Sequence, residues 1–320
     1  MTGAILSKRN PMSNMTHREP RSAMTGAEQF ETGLKKGRGM AQRSLGLIEA
    51  MHAAAEAARP ITGRGVGYKL FALGLIPSMA DPEMQRVYRL LKVAREQGAI
   101  PWPWIVDETR ELEICSSSAD PPAFVRTVSR AYRRDFWLHQ PRRVLIVSEK
   151  GTVRGVLAPV LEELGIGFRV MHGFSSATAV YDIAQDCDGR PLIILYIGDY
   201  DPSGMFMSEV DLPERLAKYN GDHVQVKRIA LTQAHHSLPW FPASDKKGDT
   251  RYPWFVRNYG DRCWELDALD PNDLRALVRK AIRRKIEPIA WKRCAVVEKA
   301  ERESLRHVLD SWKGVDGGAP

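Results

Sequence analysis

Residues Leu192 to Ile197 read LIILYI, six apolar residues in a row, stopped by Gly198 and followed at once by Asp199 and Asp201. A run this short and uniformly apolar, bounded by turn residues, is the pattern of a strand buried on both faces, as in a parallel sheet. In open sheets of that kind ligands bind beyond the carboxyl ends of the strands. Two carboxylates one residue apart therefore stand where a ligand would be, and Pro202 and Gly204 impose a turn immediately after them. Paired carboxylates repel and raise each other's pKa unless a cation sits between them, and an oxygen-only ligand set suits Mg2+. The same residues also read as a plain strand ending in an Asp-rich turn, with Asp201 capping a helix from Ser203.

The surrounding pattern supports a doubly wound α/β fold. Val144 to Val147 predicts a strand that ends in Ser148-Glu149-Lys150-Gly151, followed by a helix over 152–164. Phe168 to Met171 predicts a second strand, Ser175 or Ser176 caps a helix to about Cys187, a helix follows over 203–219, and Val224 to Leu231 is a fourth strand. Strands alternating with helices predict a mostly parallel sheet. The stretch 237–257, rich in Pro, Trp and Lys, reads as a long inserted loop whose Lys246 and Lys247 face a nucleic-acid backbone or pack over the sheet edge. Helices are expected to about Ile286 and over 291–312.

Upstream, helices are expected over 44–58, 63–75, 84–97 and 121–139. In the third, Val87, Leu90, Leu91 and Ala94 recur at helical spacing, while Arg86, Arg89 and Lys92 fall on the opposite face. Two helices, a turn, a basic amphipathic helix and the extended segment IPWPWIVDET are the order of a winged helix-turn-helix, whose last helix sets its basic face on DNA phosphates. A plain helical subdomain with a solvated basic face has the same spacing. The expected organisation is a disordered basic tail (1–43), a winged-helix-like domain with a linking helix (44–140), a sheet domain (141–290) and a C-terminal helix and tail (291–320).

Net charge is +8, of which the tail supplies +5, and a second basic cluster runs from Arg275 to Lys285. This balance permits an anionic partner without naming one. The four cysteines form no CxxC pair, which argues against zinc and thioredoxin-type chemistry. Few, scattered cysteines, no apolar run of about 20 residues and no signal-peptide core point to the cytoplasm. No GxxxxGK[ST] phosphate loop occurs.

If the strands ending at Glu149 and at Asp199 are neighbours, three carboxylates converge at one sheet edge, where one or two Mg2+ ions would polarise a phosphoryl oxygen and stabilise a leaving oxygen. Glu149-Lys150-Gly151 with Asp199-x-Asp201-Pro202-x-Gly204 downstream resembles a Toprim domain. Arg64-Gly65-Val66-Gly67-Tyr68, upstream in a winged-helix-like region, resembles the matching part of the type IIB topoisomerase A subunits, the family that includes the meiotic double-strand-break protein. The resemblance spans roughly residues 60 to 290, through Glu265-Leu-Asp-Ala-Leu269.

That resemblance implies a Rossmann-like Toprim domain after a winged helix, and a homodimer acting on double-stranded DNA in which the tyrosine of one protomer faces the metal of the other. It places the nucleophile at Tyr68, a phosphate-supporting arginine at Arg64, and Mg2+ on Glu149, Asp199 and Asp201. It implies Mg2+-dependent DNA cleavage by tyrosine transesterification, with a separate ATPase subunit supplying energy if strands are passed. The family carries two adjacent aromatics where this chain has Gly67-Tyr68. Two further readings remain open: a Toprim nuclease that uses metal-bound water, and a DNA-binding protein without catalysis.

Overall fold

A computed structural model describes residues 42–106, 118–171 and 177–311. The expected disordered tail, almost all of which is residues 1–41, the serine cap at 175 or 176, and the C-terminal tail lie outside those residues.

Four parallel strands form the central sheet: β3 (Arg143–Ser148), β4 (Gly167–Val170), β5 (Leu192–Ile197) and β6 (Val224–Ala230), in the order β4-β3-β5-β6. All six residues of β5 are buried, as its unbroken apolar run requires. From β3 the chain crosses through α5 (Thr152–Leu164) to β4 at one edge, then returns through α6 (Ala177–Gln185) to β5 on the other side of β3. The strand order therefore reverses between β3 and β5, the place where such sheets open a crevice at their carboxyl ends. Val147 pairs with Tyr196 and Ser148 with Ile197, so the two strands end level with each other.

Each face of the sheet carries its own core. One joins Ile146, Ile193, Leu195 and Ile197 to α5 and to α10 (Pro271–Arg283). The other joins Val147, Ile194 and Tyr196 to α6 and to the helix after β5. That helix is composite: α7 (Pro202–Phe206), one π turn (Met207–Asp211) and α8 (Leu212–Lys218). Asp201 caps α7 by accepting the Gly204 N–H at 2.7 Å. Gly204 is obligatory there, because a Cβ would lie 2.4 Å from the Asp199 carbonyl oxygen.

The N-terminal helices α1 (Gln42–Ala58), α2 (Gly63–Ala72) and α3 (Asp81–Glu96) enclose a separate core around Ile48, Val66, Leu70 and Val87. The extended segments beside them, β1 (Ile61–Thr62) and β2 (Ile105–Val106), pair in parallel. Gly67 has a packing reason: a side chain there would meet the Met84 sulfur of α3 at 2.6 Å.

Two expectations are corrected. The helix expected over 121–139 is shorter, α4 (Pro121–Ala131). It stops because the Arg134 N–H donates to Glu298 and the Tyr132 hydroxyl to Glu301, both on α11 (Pro288–Ser311), rather than continuing the helical pattern. The stretch read as an inserted loop is largely ordered. It holds β7 (Phe241–Pro242), a 3₁₀ turn (Ala243–Lys246) and α9 (Tyr252–Tyr259), and β7 pairs antiparallel with β8 (Arg262–Cys263). Pro253 sits in the first turn of α9, where a missing N–H costs nothing, and Phe255 fills the core. Among the described residues no helix is long and apolar enough to cross a membrane.

Candidate active site

The crevice between β3 and β5 gathers most of the residues singled out in the sequence. Glu149 follows β3 directly, and Asp199 and Asp201 follow β5. Burial raises the Glu149 carboxyl to about 7, assisted by the charges of Asp199 and Asp201. Burial also pushes Asp199 up, despite the opposing charge of Lys150. Asp199 Oδ1 accepts from Lys150 Nζ at 2.9 Å and from the Leu266 N–H at 2.7 Å. The Lys246 ammonium stands 3.6 Å from Asp201 Oδ2 while its side chain remains exposed, as is Lys247.

The loop bearing Asp199 and Asp201 is held by Arg228 on β6. Its Nη1 donates to the carbonyls of Gly198 (3.0 Å), Asp199 (3.2 Å) and Leu231 (3.0 Å), its Nη2 to Gly204, and its Nε to Ser208 Oγ at 2.8 Å. The side chain is only 5% exposed. A planar guanidinium with five donors suits a converging set of carbonyls. A register shift between β5 and β6 beyond Tyr196, which pairs with Arg228, accompanies this clamp.

The segment after β8 brings a second acidic group to the same place. Trp264 bridges to Tyr200, and a 3₁₀ turn (Leu266–Ala268) follows. Asp267 Oδ2 accepts from Lys150 at 3.1 Å, and Asp267 Oδ1 accepts from the Thr62 hydroxyl at 2.6 Å. Glu265 takes both branches of Arg64, with Nη2 to Oε1 at 2.7 Å and Nε to Oε2, and its Oε2 also accepts from the Tyr68 hydroxyl at 3.2 Å. Tyr68 is 7% exposed. Burial foremost, and the Glu265 charge next, push its phenol pKa above the ordinary value of about 10. Tyr68 and Asp199 are thus linked within one chain through the adjacent residues Glu265 and Leu266.

Comparison of the chain with protein-family models, curated proteins and solved structures gives no match.

The donor chemistry fits a hard divalent cation: the groups are all carboxylates, and burial with mutual repulsion holds two of them toward protonation. Among the described residues, however, no three His, Cys, Asp or Glu side chains are gathered as a metal-holding group. Lys150 is the cation beside Asp199. Of the basic residues expected on DNA, Arg89 and Lys92 are exposed on α3, while Arg86 is half-buried with Glu83 at 3.8 Å. His235 closes a capping box with Thr232 and serves the local turn.

Sequence reasoning missed Glu265, Asp267, Lys150 and Arg228 as site residues. Three acids within six residues at 265–270, directly before a proline-started helix, were the available signal for the first two.

The raised Glu149 carboxyl has a consequence for stability. An unfolded glutamate ionises near 4.5 and the folded one near 7. Between those values the unfolded chain binds fewer protons, so stability falls as pH rises from about 4.5 to 7 and is level above that. The loss attributable to this group is on the order of 3 kcal/mol. Urea unfolding of wild type and Glu149→Gln across that range checks it: the slope should be shallower in the variant.

Proposed function

We propose that the protein cleaves DNA phosphodiesters with Mg2+, using Tyr68 as the nucleophile, in the manner of the type IIB topoisomerase A subunits that the sequence resembles. What supports this reading is that Glu149 follows β3 while Asp199 and Asp201 follow β5, neighbouring strands that end level at the strand-order reversal, and that Tyr68 is joined to that edge through Glu265. In this reading the N-terminal helices are a winged-helix-like module and the sheet is a Toprim domain.

Glu149, Asp199 and Asp201 would hold Mg2+, which when bound supplies a Lewis acid for a phosphoryl oxygen and for the leaving oxygen. Tyr68 Oη attacks phosphorus as its proton passes to Glu265. The P–O3′ bond breaks, leaving a 5′-phosphotyrosine and a 3′-hydroxyl once the departing oxygen gains a proton from water. Arg64 orients Glu265 through its paired bonds and balances the charge at the phosphate. By the same resemblance the working unit is a homodimer on double-stranded DNA, and strand passage would call on a separate ATPase subunit.

A second reading is favoured by one observation: the Tyr68 hydroxyl is buried, bonded to Glu265 and held protonated. Under it, metal-bound water is the nucleophile and Tyr68 is structural.

Supercoiled plasmid incubated with the protein and Mg2+, stopped with detergent and run with and without protease, separates the readings. Protein-linked 5′ ends, lost in Tyr68→Phe, are expected. Free-ended breaks that persist in Tyr68→Phe would establish the water-using nuclease instead. Intact plasmid at every Mg2+ concentration would overturn both.

A further inference from the structure

Between α2, α3 and the sheet edge lies a groove of about 690 Å3, which shares Lys150 and Asp267 with the acid cluster beside it. Its lining carries four cations, Arg64, Lys92, Arg95 and Lys150, against one carboxylate, Asp267. Two aromatic side chains complete it: Tyr88, 37% exposed, and Trp102, 55% exposed. The Arg95 guanidinium lies over the Trp102 ring at 4.3 Å.

Cations alone would suit any polyanion, and the aromatics narrow the choice. In a duplex the base faces are covered by their neighbours, so an indole face has nothing to stack on; an unpaired base offers a free face, and grooves for single strands combine cations with such platforms. The volume is that of a small-ligand cleft, of the range of about 300–1,000 Å3, and fits one or two nucleotides rather than a duplex. The position is specific as well. Lys150 lines the groove and also bonds Asp199, so a strand seated on Trp102 runs toward the carboxylates. The internal ion pairs of Arg64 and Lys150 set the inner end. Lys92, 72% exposed and 3.7 Å from Glu96, is held by a surface pair worth little, and it is available to a phosphate at the outer end.

We infer that this groove binds unpaired nucleotides of a DNA strand, so that the preferred substrate carries a single-stranded segment next to the cleavage point. This rests on the reading of the acid cluster as a DNA-cleaving centre, and it is tested without cleavage.

The experiment is fluorescence anisotropy of the full chain in EDTA, with a labelled oligothymidylate of about 12 nucleotides and a duplex of the same length. The single strand should bind at least tenfold tighter. Trp102→Ala should weaken single-strand binding roughly tenfold, leave duplex binding unchanged, and be rescued largely by Trp102→Phe. Lys92→Ala should reduce the slope of log K against log salt by roughly 0.7, and it carries the test by itself if Trp102→Ala does not fold. Equal affinity for the two forms, an equal loss on both in Trp102→Ala, or an unchanged salt slope in Lys92→Ala would overturn the inference. Single-strand binding with an intact plasmid would leave the groove standing and remove the cleavage reading; plasmid cleavage with a duplex preference would do the reverse.

Discussion

Lys150→Met is expected to destabilise the protein by roughly 3 kcal/mol, the low end of the cost of stripping the partner from buried charges. Lys150 Nζ lies 2.9 Å from Asp199 and 3.1 Å from Asp267, and those carboxylates are only 14% and 12% exposed. Burial alone would lower the lysine pKa; the two aspartates outweigh it and raise it. Without the ammonium, two poorly hydrated carboxylates face each other beside Glu149. The same loss opens the cluster to another cation. Mg2+ should therefore raise the urea midpoint of Lys150→Met more steeply than that of wild type, since a ligand that binds only the folded state stabilises it in proportion to the logarithm of its concentration. Identical responses in the two proteins would show that Lys150 does not compete for this position.

Arg228→Ala is expected to cost more than any other single truncation at the site, about 3–5 kcal/mol, and, under the proposed function, to abolish cleavage. The side chain satisfies carbonyls of Gly198, Asp199, Gly204 and Leu231 together with the Ser208 hydroxyl. Each buried acceptor left without a donor costs about 1–3 kcal/mol, and some will be recovered by water entering the space. Arg228→Lys should fall between, because an ammonium has three donors and cannot spread them in a plane. Denaturant midpoints and plasmid cleavage are the two readouts. A variant that keeps wild-type cleavage would show that the Asp199–Gly204 loop holds its shape without the clamp.

The central sheet was legible because its cause is local. Six apolar residues at 192–197 admit one environment, and the alternation of strand and helix fixes how such strands connect. The Asp199–Gly204 turn was legible for the same reason: Asp201 and Gly204 do jobs that few residue types can do. The partners of Arg64, Tyr68 and Thr62 were not, because they lie about 200 residues away and no periodicity marks such a pairing. Composition misled at 237–257, where Pro and Lys masked the short helix that buries Phe255. The end of α4 at Ala131 also escaped, since acids on α11 set it rather than any stop signal in its own sequence.

Arg275 on α10 is buried, and it donates to the carbonyls of Ala58 and Arg59 at the end of α1, to that of Pro60, and to that of Val156 on α5. Ala58 and Arg275 are 217 positions apart. Nearby, Glu265 serves Arg64, Asp267 serves Thr62 and Asp270 serves Lys69. During synthesis these helices therefore leave the ribosome with their last carbonyls and their cations unmet, and they wait for one eleven-residue stretch, 265–275, made about 200 residues later. That helical unit is made before the sheet domain and is finished only after it. The tyrosine at its edge acquires its carboxylate partner only when Glu265 has been made.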